Sequence, residues 1–219
     1  MAHIKKTEMP TLWPISRRGK RKRFIAVPAH ATSKGISLLF LLRDVLRVVE
    51  TRKEARYMTL NGMVKVNNVV RKDENFPVQV FDVLGLEKGG LNYRLEIVNG
   101  KFRLNEISEK EAGEKIVKIS GKKVLGKDKI QMNLDDGQNV LSGEKFSVGD
   151  SVLFNTKEKK VVKILPLKKG AKVEIVLGKH AGDKGELVGF EDLARGRNYE
   201  IKLGDKIVRL PYKTILVIG

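Results

Sequence analysis

Six of the seven residues from Arg17 to Arg23 are basic (Arg-Arg-Gly-Lys-Arg-Lys-Arg), in a chain of 219 residues with a formal net charge of +18. Guanidinium and ammonium groups at this density neutralise a polyanion, and the polyanion that matches them is nucleic acid. The run has no apolar period, so core packing did not place it. A second basic set is Arg43, Arg47, Arg52, Lys53 and Arg56. Arg52 and Arg56 lie one helical turn apart and share a face. Such a surface holds phosphates and sets affinity and position rather than base sequence. The same residues also describe an ordinary solvated helix face, and charge alone does not separate the two readings. A third set is a glycine loop, in which Gly178, Gly182 and Gly185 punctuate Lys179, His180 and Lys184. Glycine admits positive φ and lets the backbone approach a partner closely. A phosphate-cradling P-loop is excluded, because no Gly-Lys-Ser/Thr and no helical pattern follow. The competing reading is a barrel turn that meets no partner.

Other chemistries lack their residues. The chain has no cysteine, which removes disulfides, thiolate nucleophiles and thiolate metal sites and suits a reducing cytoplasm. His3, His30 and His180 are too scattered for a metal site. Asp135-Asp136 precedes Gly137 between two apolar runs, so a hairpin turn explains it better than an acid–base pair. No Ser-His-Asp set, zinc spacing or dinucleotide loop is present. The expectation is a non-enzyme with no cofactor, no metal and no small-molecule substrate. No window of eighteen apolar residues marks a membrane span, and the N-terminus lacks the apolar core of a signal peptide. No amphipathic helix adjoins the basic run to hold it on a membrane surface.

The elements that must position these cations read as α+β, mostly β. Residues 1–35 form a basic N-terminal extension carrying Pro10, Pro14 and Pro28. Met9-Pro-Thr-Leu-Trp-Pro-Ile15 is more apolar than a solvating tail, which predicts an arm that orders on RNA. Leu38, Leu41, Leu42, Val45 and Val49 mark one face of a helix with Ser37 as N-cap. Thr51-Arg-Lys-Glu54 has capping-box spacing and starts a second helix near Arg52 that stops by Asn61-Gly62. Val64-Lys-Val66 reads as a strand, with more strand signal at Val69-Val70 and from Val78 to Leu86. Tyr93, Leu95 and Ile97 alternate, Asn99-Gly100 turns, and Phe102 and Leu104 alternate again. Ser108-Glu-Lys-Glu111 opens a short helix. Ile116 to Leu165 breaks into short strands suggesting a small twisted barrel or sandwich. The last five strands are predicted at Lys172–Leu177, Gly185–Phe190, Tyr199–Leu203, Lys206–Leu210 and Thr214–Ile218, and they must curl into a small closed barrel to bury enough surface. The segments are thus 1–35, 36–90, 91–168 and 169–219.

Two stretches resemble known modules. Glu54-Ala-Arg-Tyr-Met-Thr-Leu-Asn-Gly-Met-Val-Lys-Val-Asn67 is similar to the core of the alpha-L RNA-binding fold. Val173-Glu-Ile-Val-Leu-Gly-Lys-His-Ala-Gly-Asp-Lys-Gly-Glu-Leu-Val188 is similar to a KOW motif. Together with His3-Ile-Lys-Lys6, Met9-Pro10, Trp13, Phe40-Leu-Leu-Arg-Asp-Val-Leu46 and Ile215-Leu-Val-Ile-Gly219, their order resembles the small-subunit ribosomal protein 4e family, the archaeal and eukaryotic type, over nearly the whole chain. Pro28-Ala-His-Ala31 keeps only part of that family's Gly-Pro and His signature, which leaves His30 without an assigned role.

The resemblance implies an alpha-L RNA-binding-like α/β module, a central small β domain and a C-terminal SH3-like KOW barrel. It implies a structural constituent of the small ribosomal subunit, in the cytoplasm, with rRNA and neighbouring small-subunit proteins as partners. The residues expected to face rRNA are His3, Lys5, Lys6, Trp13, Arg17, Arg18, Lys20, Arg21, Lys22, Arg23, Arg43, Arg47, Arg52, Lys53, Arg56, Lys65, Lys179, His180 and Lys184, with Gly178, Gly182 and Gly185 shaping the loop. Aromatic residues make up only 6% of the chain, which argues against base stacking along single strands and for backbone and shape contacts to folded RNA. Two other readings are a KOW-bearing transcription elongation factor, which would normally lack the alpha-L module and the arm, and an RNA-modifying enzyme of the pseudouridine synthase type, which needs a catalytic domain with an essential Asp where the rest of this chain reads as two small Lys-rich β units.

Overall fold

Alternation of apolar and polar residues dominates this sequence, and strands dominate its structure. The computed structural model describes residues 3–17, 24–30, 32, 34–87, 89–126, 129–193 and 196–219. They divide into two units, Met1–Gly113 and Glu114–Gly219.

In the first unit β1 (His3–Lys5) pairs with β2 (Phe24–Ala26), and β3 (Gly35–Ser37) leads into α1 (Leu38–Phe40). The chain continues through a π-type turn (Leu41–Val45) to α2 (Arg52–Leu60) and then β4 (Val64–Val66) and β5 (Val69–Val70). Next come β6 (Pro77–Gln79), which pairs with β3, then β7 (Val83–Leu86), β8 (Leu91–Val98) and β9 (Lys101–Ile107). The main sheet has the order β5-β4-β7-β8-β9. It therefore crosses the segment boundary expected at residue 90: β7 pairs with β8, so the Asn99-Gly100 hairpin completes this sheet rather than opening a separate domain. Both turn residues are left-handed (φ 51° and 68°), as a two-residue hairpin matched to strand twist requires.

Among the described residues, the apolar part of the expected N-terminal arm is core. Met9, Leu12 and Trp13 are buried, Trp13 completely. The indole N–H donates to Gly35 O at 3.1 Å and the ring stacks on Phe40. Phe102 N–H donates to Leu12 O at 2.7 Å, and the Lys101 ammonium reaches Trp13 O at 3.3 Å. Three large apolar side chains within five residues release too much water on burial to remain a solvated arm.

The first helix is shorter than its period suggests. Leu46 N–H donates to Leu41 O, and Arg47 turns left-handed (φ 56°) instead of continuing to Val49. The β-branched pair Val48-Val49 resists helix, and the break lets Val49 fold back into the core at 5% exposure. Ser37 occupies the N-cap without bonding through its hydroxyl; Phe76 O and Glu74 O accept the Leu38 and Leu39 N–H groups instead. The second helix starts as its capping box predicts. Thr51 Oγ1 accepts from Glu54 N–H, while the Glu54 carboxylate accepts from the Thr51 hydroxyl at 2.8 Å and from Glu50 N–H at 2.9 Å.

The second unit holds two five-stranded sheets. The first contains β10 (Glu114–Val124), β11 (Ile130–Leu134), β12 (Asn139–Ser142), β13 (Ser151–Asn155) and β14 (Lys160–Leu165), in the order β12-β11-β10-β13-β14. Its core is Val117, Ile119, Met132, Leu134, Phe146, Val152 and Phe154. Asp136 and Gly137 form the β11–β12 turn, and the Asp136 carboxylate is ion-paired with buried Lys115. A single 3-10 turn, Glu111–Gly113, stands where a short helix was expected.

The second sheet contains β15 (Lys172–Ile175), β16 (Lys184–Leu193), β17 (Gly196–Leu203), β18 (Lys206–Pro211) and β19 (Ile215–Val217), in the order β18-β17-β16-β15-β19. A 3-10 turn (Tyr212–Thr214) carries the chain into β19. The core is Val173, Ile175, Leu187, Ile201, Ile215 and Val217. The two sheets are joined at the edge strand β19. Lys118 and Ser151 are opposite one another on β10 and β13. The Lys118 ammonium donates to Ile215 O at 2.8 Å and to Tyr212 O, and the Ser151 hydroxyl accepts from Val217 N–H at 3.0 Å. Side chains of one sheet thus satisfy the backbone edge of the other.

Candidate nucleic-acid interface

A phosphate contact is favoured where a cation is exposed and not already held by a carboxylate. The basic residues of the sequence separate on this criterion. On α2, Ala55 and Thr59 are the buried residues, one turn apart. That orientation puts Lys53, Arg56, Tyr57 and Leu60 on the opposite, exposed side. The side chains of Lys53 and Arg56 have no hydrogen-bond or ion-pair partner among the described residues. Arg52 does not share their freedom. Its Nε donates to Glu74 Oε1 at 2.6 Å, and Glu74 is only 6% exposed. Arg52 therefore neutralises a buried carboxylate, whereas Arg56 does not, so the two residues expected to form one pair differ in what already holds them. Arg43 is half-buried and forked onto Asp44 through Nε at 3.0 Å and a second nitrogen at 2.7 Å. Arg47 is exposed at its left-handed position. Lys65 meets Glu87 at 3.2 Å in an exposed pair, which holds it only weakly.

At the N-terminus His3 and Lys5 are exposed on β1, with the His3 ring edge-on to Phe24 at 4.8 Å, and Lys6 is half-buried. Trp13, expected to face RNA, is wholly inside the first unit and offers no ring face to a ligand. Arg17 is exposed and donates to Met9 O at 2.8 Å, which ties the start of the basic run to the buried segment. Arg18, Lys20, Arg21, Lys22 and Arg23 lie outside the described residues.

The glycine loop joins β15 to β16 in the second unit. Gly182 N–H donates to Ile175 O at 2.7 Å and Ile175 N–H to Asp183 O at 3.0 Å, closing its base. Gly178 and Gly182 adopt φ of 99° and 93°, open to glycine without strain. Gly185 serves differently: a Cβ there would sit 2.4 Å from Lys202 O and 2.8 Å from Ile201 Cγ2, so its role is the close pairing of β16 with β17. Lys179 is exposed at the tip. His180 Nδ1 lies 3.3 Å from Asp183, and Lys184 lies 3.8 Å from buried Glu174. This loop and α2 belong to different units.

The sequence reading missed Tyr57 and Leu60, 63% and 53% exposed. The signal was available: small residues at positions 55 and 59 mark the buried stripe, which places 53, 56, 57 and 60 on the other side. Among the described residues no group of three His, Asp or Glu side chains is placed to hold a metal ion, and no helix is long and apolar enough to cross a membrane.

Fold and surface define a mostly β, two-unit protein that presents unpaired cations. A model of ribosomal family S4e matches residues 90–161. Small ribosomal subunit protein eS4 of Pyrobaculum aerophilum is 31% identical, covering 100% of this chain and 96% of its own. The protein of that name from Methanocella arvoryzae is 34% identical over 84% of this chain and 79% of its own, and that of Archaeoglobus fulgidus is 34% identical over 86% and 80%. The crystal structure of the 30S ribosomal protein S4e from Thermoplasma acidophilum superposes with a TM-score of 0.73 at 23% identity, covering 85% of this chain and 95% of that one. The chain belongs to the small ribosomal subunit protein eS4 family, of archaeal type.

Proposed function

We propose that this protein is a structural constituent of the small ribosomal subunit that binds folded small-subunit rRNA through Lys and Arg contacts to phosphates, working in the cytoplasm beside neighbouring small-subunit proteins and catalysing no reaction. The observation that carries the reading is the sorting of cations on a +18 chain of this family. Lys115 and Lys118 are buried and bonded inward, while Lys53, Arg56 and Lys179 stand exposed. Excess positive charge destabilises a chain on its own, and a polyanion removes that penalty. On this reading the α2–β4 region acts as an alpha-L-type RNA-binding module and the β15–β19 sheet as a KOW-type barrel. The basic run from Arg17 to Arg23 supplies affinity through its charge. His3, Lys5, Lys6, Arg47, Lys65, His180 and Lys184 add weaker backbone contacts.

Sedimentation of cell lysate through a sucrose gradient tests this. The protein is expected to migrate with small subunits and to leave them as salt is raised. Migration with RNA polymerase, or retention at the top of the gradient with a modification activity, would refute it.

A further inference from the structure

The outward face of α2 carries more than charge. Lys53, Arg56, Tyr57 and Leu60 follow at i, i+3, i+4 and i+7, so they form one stripe along the helix. Tyr57 is 63% and Leu60 53% exposed. Neither a hydrogen bond nor a ring contact of the Tyr57 side chain occurs among the described residues. The exposed aromatic of the second unit differs: Phe190, 48% exposed, already lies under the Arg197 guanidinium at 4.4 Å, and Arg197 is bonded to Asp192. Leu60 broadens the apolar ground at the end of the stripe. The one carboxylate exposed in the first turn of α2, Glu54, is occupied by Thr51 and Glu50. The stripe is thus an unoccupied aromatic ring flanked by two unpaired cations, and no carboxylate is bonded to either.

We infer that this face receives an unpaired nucleotide of the folded rRNA: its base stacks on the Tyr57 ring, Leu60 covers its edge, and Lys53 and Arg56 hold the phosphates on either side. A duplex keeps its bases stacked on each other and offers only phosphates, whereas a bulged or looped nucleotide offers a π-face as well. Charge selects a nucleic acid over an apolar protein segment here, and the ring selects an unpaired base over continuous duplex. The inference rests on the rRNA-binding reading and adds to it a ligand class for one residue.

The test measures binding of the full-length protein to a folded small-subunit rRNA transcript and to a perfect RNA duplex, across a salt series. Tyr57→Ala is expected to weaken binding to the transcript roughly 10- to 100-fold, the range for losing one stacked base. Its salt slope and its binding to duplex should be unchanged, and Tyr57→Phe should bind as the parent does. Lys53→Gln with Arg56→Gln should lower the salt slope on both probes by about 0.7–0.9 per residue. Equal transcript binding by the parent and Tyr57→Ala, on a steep salt slope, overturns this inference and leaves the rRNA reading standing. A parent protein that binds neither probe overturns the rRNA reading itself. Unchanged RNA affinity with impaired incorporation of Tyr57→Ala into subunits would make the stripe a protein contact and also overturn the inference. Melting curves of the variants, all altered at exposed positions, establish that each is folded.

Discussion

Strand β10 and helix α2 are both rich in basic residues, yet they use them in opposite ways. On β10, Lys115 is 3% exposed and ion-paired to Asp136, and Lys118 is 7% exposed with its ammonium on the carbonyls of Tyr212 and Ile215. On α2, Lys53 and Arg56 point into solvent with nothing to neutralise them. The difference lies in periodicity and surroundings. Lys115 and Lys118 point to opposite faces of β10 and both faces are covered there, so each lysine persists only with acceptors. A short helix whose inner face is satisfied by Ala55 and Thr59 leaves its longer side chains outside. Counting cations therefore overstates an RNA-binding surface; what counts is which cations lack a partner.

The largest expected effect falls on the buried set. Lys115→Ala strands the Asp136 carboxylate and should destabilise the second unit by about 3–5 kcal/mol in denaturant unfolding. A loss below ~1 kcal/mol would mean that the pair is more solvated than its burial indicates. In the first unit, Trp13→Ala removes the buried ring on Phe40 and should cost about 3–5 kcal/mol. A loss of this size would place Trp13 in the core of the first unit and not in an arm that orders on RNA. Arg52→Ala comes next. It uncovers Glu74 and should cost about 1–3 kcal/mol, while Arg56→Ala on the same helix costs within ~0.5 kcal/mol. Equal losses at the two positions would erase the distinction between paired and unpaired cations.

The smallest effect concerns pH. The Glu50 N–H, with the Thr51 hydroxyl and N–H, holds the Glu54 carboxyl below its ordinary 4.5. A depressed carboxylate contributes stability above its unfolded pKa and loses it as pH falls through the lower folded value. Acid titration followed by circular dichroism should show α2 weakening below about pH 4.5 in the parent. Glu54→Gln should have a weaker helix at neutral pH and lack this step.

Much of this was legible in the residues. Periods of two and Asn-Gly or Gly-Asp punctuation mark most strands, and Thr51 with Glu54 marks the start of α2. What was not legible is tertiary. Nothing in Met9–Ile15 says that Trp13 finds Gly35 O and Phe40, because both lie more than twenty residues away. Likewise no local signal shows that Glu74 claims Arg52, or that Lys118 caps β19 from nearly a hundred residues upstream. The boundary expected at residue 90 is crossed in the same way: β7 and β8 pair across Gly89-Gly90, and the two runs read separately do not show that they share one sheet. The α2 stripe is legible in its charges but not in Tyr57, because a 6% aromatic content over the whole chain does not show on which helix face a ring stands.

The salt dependence of affinity for folded small-subunit rRNA tests the central claim most directly, with the parent set beside Lys53→Gln/Arg56→Gln and Arg52→Gln. The account predicts that parent affinity falls roughly a thousandfold between about 50 and 200 mM salt, that losing the two unpaired cations flattens the slope by about 0.7–0.9 each, and that losing Arg52 leaves it unchanged. A flat parent response, or a slope that drops as much for Arg52 as for Lys53 and Arg56, would contradict it.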